Sequence, residues 1–168
     1  MNSFGRFLAV ISLLLVYSAQ IQARGNSVYE ETYHIGYLTG NINGGAEYGE
    51  VQAEGFVLSA RNKKAVLEYV NLTSDSGTIL GNADTWESNI SGLYLSLIGQ
   101  GQPYMKFKVG NIKHEYIQAT GGTPAVEVNS VTSYGLGFGY KVGSRIMLEF
   151  DITTLDREMT LMALTILF

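Results

Sequence analysis

The chain has 168 residues without a cysteine, and its 11 Lys and Arg oppose 15 Asp and Glu, which gives a formal net charge of −4. This mildly acidic balance, with no basic cluster, argues against nucleic acid as a partner, and a chain without cysteine must be stabilised by packing rather than by disulfides. Only 15% of the residues are charged, and 20 Gly beside 2 Pro are typical of an all-β chain with many tight turns.

The amino terminus has the pattern of a secretory signal peptide. Arg6 supplies a positive charge, and Phe7–Tyr17 form an apolar segment that is shorter than the ~20 residues of a membrane-spanning helix. Small residues follow at Ser18, Ala19 and Ala23. We therefore expect residues 1–23 to be a cleaved signal peptide, with cleavage near Ala19 as the alternative, and residues 24–168 to form one exported domain.

The rest of the chain consists of segments in which apolar and polar residues alternate with a period of two, which is the pattern of β-strands. Eight such segments are predicted: Val28–Leu38, Tyr48–Ala60, Ala65–Leu72, Ser91–Ile98, Tyr104–Gln118, Thr132–Val142, Ile146–Thr154 and Met159–Phe168. An even number of strands suits a single-chain barrel with both ends in the periplasm. Most of the segments have the roughly ten residues that a tilted strand needs to cross an apolar band of about 25 Å.

The predicted connections alternate in length along the chain. Three of them, at residues 61–64, 99–103 and 143–145, are short turns. The longer connections, rich in Gly, Asn, Ser and Thr, are Thr39–Glu47, Thr73–Ile90 and Ala119–Val131, and a last, unusually short one lies around Asp156. Short turns at one rim and longer loops at the other are typical of outer-membrane barrels.

Most predicted strands have one apolar face and one face that carries the charges. In the fifth strand, for example, Met105 and Phe107 oppose Lys106. The last strand ends the sequence on an aromatic residue, and its apolar face consists of Met162, Leu164, Ile166 and Phe168. The exception is Tyr48–Ala60, where Glu50 shares a face with Phe56, and for which we assume a β-bulge.

The charged face is expected to point into the barrel. A soluble barrel with an apolar lumen would need far more Lys and Glu on its exterior than this chain has. Eight strands leave a lumen that side chains nearly fill, so we expect an ion-paired network rather than isolated charges. Its predicted members are Glu68, Lys106, Lys108, Lys141, Glu149 and Asp151, with room left by Gly135, Gly137 and Gly139. Candidates for an aromatic girdle, or else for gap fillers between strands, are Tyr33, Tyr37, Tyr69, Tyr134, Tyr140 and Phe168.

This strand pattern resembles that of the small outer-membrane β-barrel family of the OmpA-transmembrane-domain and OmpX type. The likeness is carried by Tyr134-Gly-Leu-Gly-Phe-Gly-Tyr140, then a tight turn, then Met147-Leu-Glu-Phe-Asp151, and more weakly by Gly55–Leu72. The terminal strand departs from the family, because Leu164 and Ile166 stand where a further aromatic often occurs. The resemblance implies an all-β, eight-stranded antiparallel up-and-down transmembrane barrel. Its partners would be outer-membrane lipid and lipopolysaccharide, with the barrel-assembly machinery during biogenesis.

The sequence predicts no catalytic, cofactor-binding or metal-binding residue. His34 and His114 are the two histidines, and they lack the spacing and the cysteine partners of a metal site. A lipid-modifying barrel enzyme would need a Ser, a His and an acid or amide within hydrogen-bond reach. We expect His34 on the lumen face and His114 towards the outer end of its strand, with no serine clearly beside it. Eight strands are also too few for an aqueous channel of the porin kind.

The expected protein is thus a monomeric, non-enzymatic barrel of the bacterial outer membrane that binds no cofactor. It would have an envelope role or act in adhesion or recognition through its outer loops. Two alternatives stay open: a membrane lipid-modifying barrel enzyme, similar to a lipid A deacylase, and a soluble periplasmic ligand-binding barrel.

Overall fold

The computed structural model describes residues 32–45, 48–79, 81, 83–121, 123–142, 146–156 and 158–168. The predicted signal peptide and residues 28–31 of the first predicted strand lie outside these ranges. The regular elements are the strands β1 (Thr32–Asn43), β2 (Glu50–Arg61), β3 (Ala65–Ser74), β4 (Gly77–Thr78), β5 (Thr85–Ile98), β6 (Tyr104–Thr120), β7 (Thr123–Val142), β8 (Ile146–Thr154) and β9 (Thr160–Leu167). Within the described ranges, no helix is long and apolar enough to cross a membrane.

The eight long strands close into a barrel of antiparallel neighbours. Apart from the two-residue strand β4, which is added to β5, each strand pairs with the next along the chain, and β9 returns to pair with β1. Closure pairs the backbone groups of neighbouring strands around the ring, which an apolar surrounding requires. The predicted eight-stranded up-and-down barrel is therefore confirmed.

The two ends of the barrel differ in their connections. At one end, which we call the turn end, residues 62–64 and 99–103 form tight turns, and the backbone N–H of Phe168 donates to Ile35 O at 2.9 Å. At the other end, which we call the loop end, Tyr48 in the connection between β1 and β2 forms a bridge with Ile79, which follows β4. Two of the predicted short turns are thus confirmed, except that Arg61 belongs to β2 and not to the first turn.

The predicted connection Ala119–Val131 is wrong. β6 and β7 continue through this segment as a paired hairpin, and its turn contains Gly121 with a φ of 57°. Gly, Thr and Pro124 in the segment indicated a loop. Val126 and Val128 nevertheless keep the period of two and pair with β6, so the ladder extends beyond the body of the barrel.

The other two predicted loops are shorter than expected as well. β1 continues to Asn43, into the predicted loop Thr39–Glu47, and β5 begins at Thr85, inside the predicted loop Thr73–Ile90. The polar side chains on one face, such as Asn and Thr, indicate a loop by their composition, although they continue the alternation of a strand. The seventh predicted strand, by contrast, is confirmed in its bounds, because β8 spans Ile146–Thr154.

The β-bulge assumed in the second strand is absent. β1 and β2 pair without interruption over the 12 residues of β1. Glu50 and Glu54 therefore lie on the same outer face as Phe56, and both are exposed. The polarity of this face changes because the strand is longer than the apolar surface it crosses.

The outer face of the barrel carries a continuous apolar belt next to the turn end, which we call the apolar band. Its exposed members include Ile35, Leu67, Leu95, Phe107, Leu136, Phe138, Leu148, Ile152 and Leu164. Nearer the loop end, the outward positions become polar: Asn41, Gln52, Thr73, Asn89, Asn111, Ser130 and Thr154. The predicted apolar outer face is confirmed, and it ends about halfway along the longer strands.

The interior has the opposite distribution. In the loop half, the inward side chains form a hydrophobic core that includes Leu38, Ile42, Val51, Val57, Leu72, Trp86, Ile90, Ile112, Tyr116 and Leu161. In the turn half, which the apolar band surrounds, charged side chains fill the lumen. The barrel is therefore inside-out in its turn half and built like a soluble protein in its loop half.

Candidate functional site

Lys106 is the centre of a buried ion-pair network in the turn half of the lumen. Its Nζ lies 3.0 Å from Glu68 Oε1, 2.5 Å from Glu149 Oε2 and 2.9 Å from Asp151 Oδ2. The three carboxylates come from β3 and β8, which flank β6 on either side of the barrel without pairing with it. The long side chain of Lys106 can reach both strands only because the lumen of eight strands is narrow.

Two further cations complete the network. Arg61 Nη1 lies 3.0 Å from Glu149 Oε1, and Lys108 Nζ lies 3.3 Å from Asp151 Oδ2. Three cations thus face three carboxylates, and the network carries no net formal charge. A buried ion is costly unless it is paired and hydrogen-bonded, so this balance allows six charges to share the lumen. The predicted ion-paired interior is observed.

The membership of the network differs from the prediction at Lys141. That residue is exposed at the turn end of β7, where its backbone N–H donates to Gln102 Oε1 at 3.3 Å. Arg61, which the sequence predicts in a turn, occupies the corresponding place in the lumen. It is the last residue of β2, at an inward position, and its guanidinium also lies 4.3 Å from the centre of the Tyr104 ring. The period-two alternation, continued along β2, places Arg61 on the inward face, and this spacing could have identified it in the sequence as a lumen residue.

The inward glycines of β7 make room for the network, as predicted. A Cβ at Gly135 would lie 2.9 Å from Lys108 side-chain carbons, and one at Gly137 would overlap Asp151. A Cβ at Gly139 would overlap the ring of Tyr104, whose hydroxyl donates to Glu149. Each glycine therefore leaves the volume that a charged or aromatic side chain from a neighbouring strand occupies.

The loop half of the lumen contains a buried Ser–His pair. Ser88 Oγ and His114 Nε2 are 2.5 Å apart, and Ser74 Oγ accepts a hydrogen bond from the Ser88 N–H at 2.8 Å. The sequence did not bring these residues together, because their contact depends on the register of β5 against β6. His114 is 1% exposed and Ser88 0%, so the hydroxyl is not presented to a substrate. The pair satisfies polar groups inside an apolar core.

Aromatic rings close the lumen at the loop end. The ring centre of Tyr48, in the connection between β1 and β2, lies 5.7 Å from that of Trp86 and 5.4 Å from that of Tyr116. Trp86 and Tyr116 are themselves stacked at 6.1 Å. The ion-pair network therefore occupies the turn half of the lumen, and these rings lie across its loop end.

His34, the other histidine, lies at an inward position of β1 near the turn end, as predicted, and its Nε2 is 3.1 Å from Thr32 Oγ1. It is separated from His114 by the length of the barrel. Within the described ranges, no group of three or more His, Cys, Asp or Glu side chains could hold a metal ion. The absence of catalytic, cofactor and metal sites stays a prediction.

The exterior of the loop end is strongly acidic. The described residues there include nine carboxylates: Glu50, Glu54, Asp75, Asp84, Glu87, Glu115, Glu127, Asp156 and Glu158. Against them stands one described cation, Lys113, which is paired with Glu115. The other described cations lie in the lumen network or at the turn end, as Lys63, Lys64 and Lys141 do. Counted over the residues that the structure describes, the loop end is therefore negative and the turn end positive.

Comparison with known proteins shows the fold and not the family. No family model and no curated protein sequence matches the chain. Among solved structures, Neisserial surface protein A is similar with a TM-score of 0.65 and 6% identity over 82% of this chain and 97% of that one. The N-terminal β-barrel domain of Pseudomonas aeruginosa OprF is similar with a TM-score of 0.62 and 8% identity, over 83% of this chain and 98% of that one.

A third similar structure is Ail, the attachment invasion locus protein of Yersinia pestis, in complex with the heparin analogue sucrose octasulfate. Its TM-score is 0.55 and its identity 11%, over 83% of this chain and 96% of that one. All three are small eight-stranded outer-membrane barrels, so the predicted resemblance to barrels of the OmpA and OmpX type is confirmed at the level of the fold.

Proposed function

We propose that the protein is a non-enzymatic barrel of the bacterial outer membrane whose loop end projects from the cell and recognises external macromolecules. The observation that carries the membrane assignment is the inside-out turn half, in which an apolar band surrounds an ion-paired lumen. In water, this arrangement would expose the apolar residues and bury the charges, both of which are unfavourable. In a bilayer, the same arrangement is favourable.

The dimensions of the apolar band support this location. On β7 the band runs from Tyr134 to Val142. At ~3.3 Å per residue and a tilt of about 40°, these residues span roughly 20 Å, close to the apolar height of about 25 Å in outer-membrane barrels. Tyr37 and Tyr134 lie at its loop-side limit and Tyr33 and Tyr140 nearer the turn end, so aromatic side chains mark both limits.

The loop half supports a role outside the membrane. Its apolar core and polar exterior are those of a protein domain in water, and it continues the strands beyond the apolar band. Its acidic surface differs from what a polysulfated ligand, such as the heparin analogue bound to Ail, would require. A partner of this chain should instead carry positive charge. The ion-pair network and the aromatic rings in the lumen favour recognition or support of the envelope over transport.

Fractionation with heat modifiability tests the membrane assignment. The protein should sediment with outer membranes, require detergent for extraction, and migrate on a gel differently before and after boiling. Recovery in the soluble periplasmic fraction would contradict the assignment and favour the ligand-binding alternative. The enzyme alternative is tested by His114→Ala, which should leave the acylation of lipid A unchanged, because His114 is buried in the core. An altered lipid A profile would favour the enzyme.

A further inference from the structure

The outer part of β7 has a free edge. β7 pairs with β6 from Thr123 to Gly139, but its pairing with β8 begins only at Gly135, opposite Thr153. Among the described residues, β6 is the one strand that pairs with β7 between Thr123 and Tyr134. The edge is open because the connection from β8 to β9 is short, so these two strands end while β6 and β7 continue.

The ladder between β7 and β8 ends at a defined point. Thr154 Oγ1 accepts from the Tyr134 N–H at 3.1 Å and donates to Tyr134 O at 3.2 Å. The Thr154 side chain thus bonds the backbone groups of Tyr134 that a further residue of β8 would otherwise pair with. The contact also shows that the N–H and C=O of Tyr134 point away from β6, towards the side of β8.

The backbone direction at Tyr134 identifies the groups at the free edge. In a strand, residues two apart point their N–H and C=O to the same side, and the pairing with β6 is continuous. The groups of Val126, Val128, Ser130 and Thr132 therefore face the free side. The backbone nitrogen of Pro124 also faces the free side, so the N–H that proline lacks would not have bonded to β6.

The surroundings of this edge favour a strand-forming partner. On the outer face, Val126 and Val128 are 62% and 50% exposed, well beyond the apolar band, where lipid does not explain them. On the opposite face, Glu127 is exposed between them and accepts a hydrogen bond from Asn129 Nδ2 at 2.9 Å, and Asp156 accepts another from the same nitrogen at 2.6 Å. Exposed strand edges are templates for pairing with another chain.

From this geometry we infer that the free edge of β7 binds an extended basic segment of another protein, which adds to the sheet as a further strand. The segment would hydrogen-bond to Val126, Val128 and Ser130, and place apolar side chains beside the two valines. Between these it would place a Lys or Arg beside Glu127. This inference rests on the proposed function, since the edge must project from the membrane to be reached.

A second copy of the chain is a poorer occupant of the edge. Two β7 edges that pair antiparallel are related by a twofold axis perpendicular to the sheet. Because the sheet stands upright in the membrane, that axis lies in the membrane plane and places the second barrel in an opposed membrane. The two acidic loop ends would also repel each other.

The test uses the purified full-length barrel in detergent micelles and two labelled eight-residue peptides, one alternating valine with lysine and one alternating valine with glutamate. We expect the lysine peptide to bind and the glutamate peptide not to bind. Val128→Pro should weaken binding of the lysine peptide about tenfold or more, because it removes an edge donor and blocks the approach of the peptide backbone. The substituted N–H does not belong to the β6 ladder, so the hairpin should persist.

A charge reversal separates the edge from the general acidity of the loop end. Glu127→Lys should reverse the preference towards the glutamate peptide. Glu54→Lys, which makes the same charge change on β2 away from the edge, should leave the preference unchanged. Amide exchange by NMR adds a residue-level readout. Bound peptide should protect the amides of Val126, Val128, Ser130 and Thr132, while the odd-numbered amides between them are already protected by β6.

Binding that is equally strong in Val128→Pro, protection without this alternation, or no binding of the lysine peptide would each overturn the inference. Binding of bacteria that display the protein to basic protein surfaces distinguishes the recognition function from the role of the free edge. Display that confers no binding to basic protein surfaces contradicts the recognition function itself. Display that confers binding which Val128→Pro does not reduce contradicts only the role of the edge.

Discussion

Replacing Lys106 tests whether the lumen network stabilises the barrel as a charge-balanced unit. Lys106→Met keeps most of the side-chain length and removes the ammonium that contacts Glu68, Glu149 and Asp151. Three carboxylates then face two cations, and one buried negative charge has no counterpart. Removing one partner of a buried ion pair costs about 3–5 kcal/mol, so we expect the free energy of unfolding to fall by that amount.

The measurement is urea unfolding of the barrel in lipid vesicles, followed by the gel shift between folded and unfolded protein. Combining Lys106→Met with Glu68→Gln removes one charge of each sign and should restore at least about 2 kcal/mol of the loss. The exposed Lys141→Met should change stability by less than about 0.5 kcal/mol. A loss below about 1 kcal/mol in Lys106→Met, or a double variant no more stable than the single one, would refute the reasoning.

Three other features of the barrel give predictions of the same kind. Gly139→Ala places a methyl group on the Tyr104 ring and should lower the free energy of unfolding by about 1–3 kcal/mol in the same urea titration. Leu95→Arg, within the apolar band, should cost about 2–4 kcal/mol in vesicles, whereas Gln52→Arg beyond the band should be nearly neutral; equal effects would contradict its limits. Trp86 is 0% exposed, so its fluorescence should resist quenching by acrylamide in the folded barrel and become accessible in urea.

The period-two alternation was enough to predict the barrel and the direction of its faces. A residue such as Lys106 lies between Met105 and Phe107, and a strand puts neighbours on opposite faces whatever surrounds it. With few charges available for an exterior, the charged face had to be the inner one. This reasoning is local, which is why it succeeded for eight strands at once and for the glycines of β7.

The ends of the strands were less predictable. Polar residues at outward positions, as in the outer part of β7, indicate a loop when the strand is assumed to end with the apolar band. The structure shows that β6 and β7 continue because each supplies the other with hydrogen bonds. That information lies in the partner strand and not in the segment itself, as does the free edge that β8 leaves by ending at Thr154.

The sequence by itself determined the number of strands, the closure that their even count suggests and the separation of lipid-like from charged faces, because alternation is a property of each segment alone. The tertiary structure decided which charges meet: it places Arg61 in the network and Lys141 outside it, and it brings Ser88 to His114. Such contacts depend on the register between strands that are distant in the chain. Two inward side chains meet across the lumen only when they lie at the same level along the barrel axis.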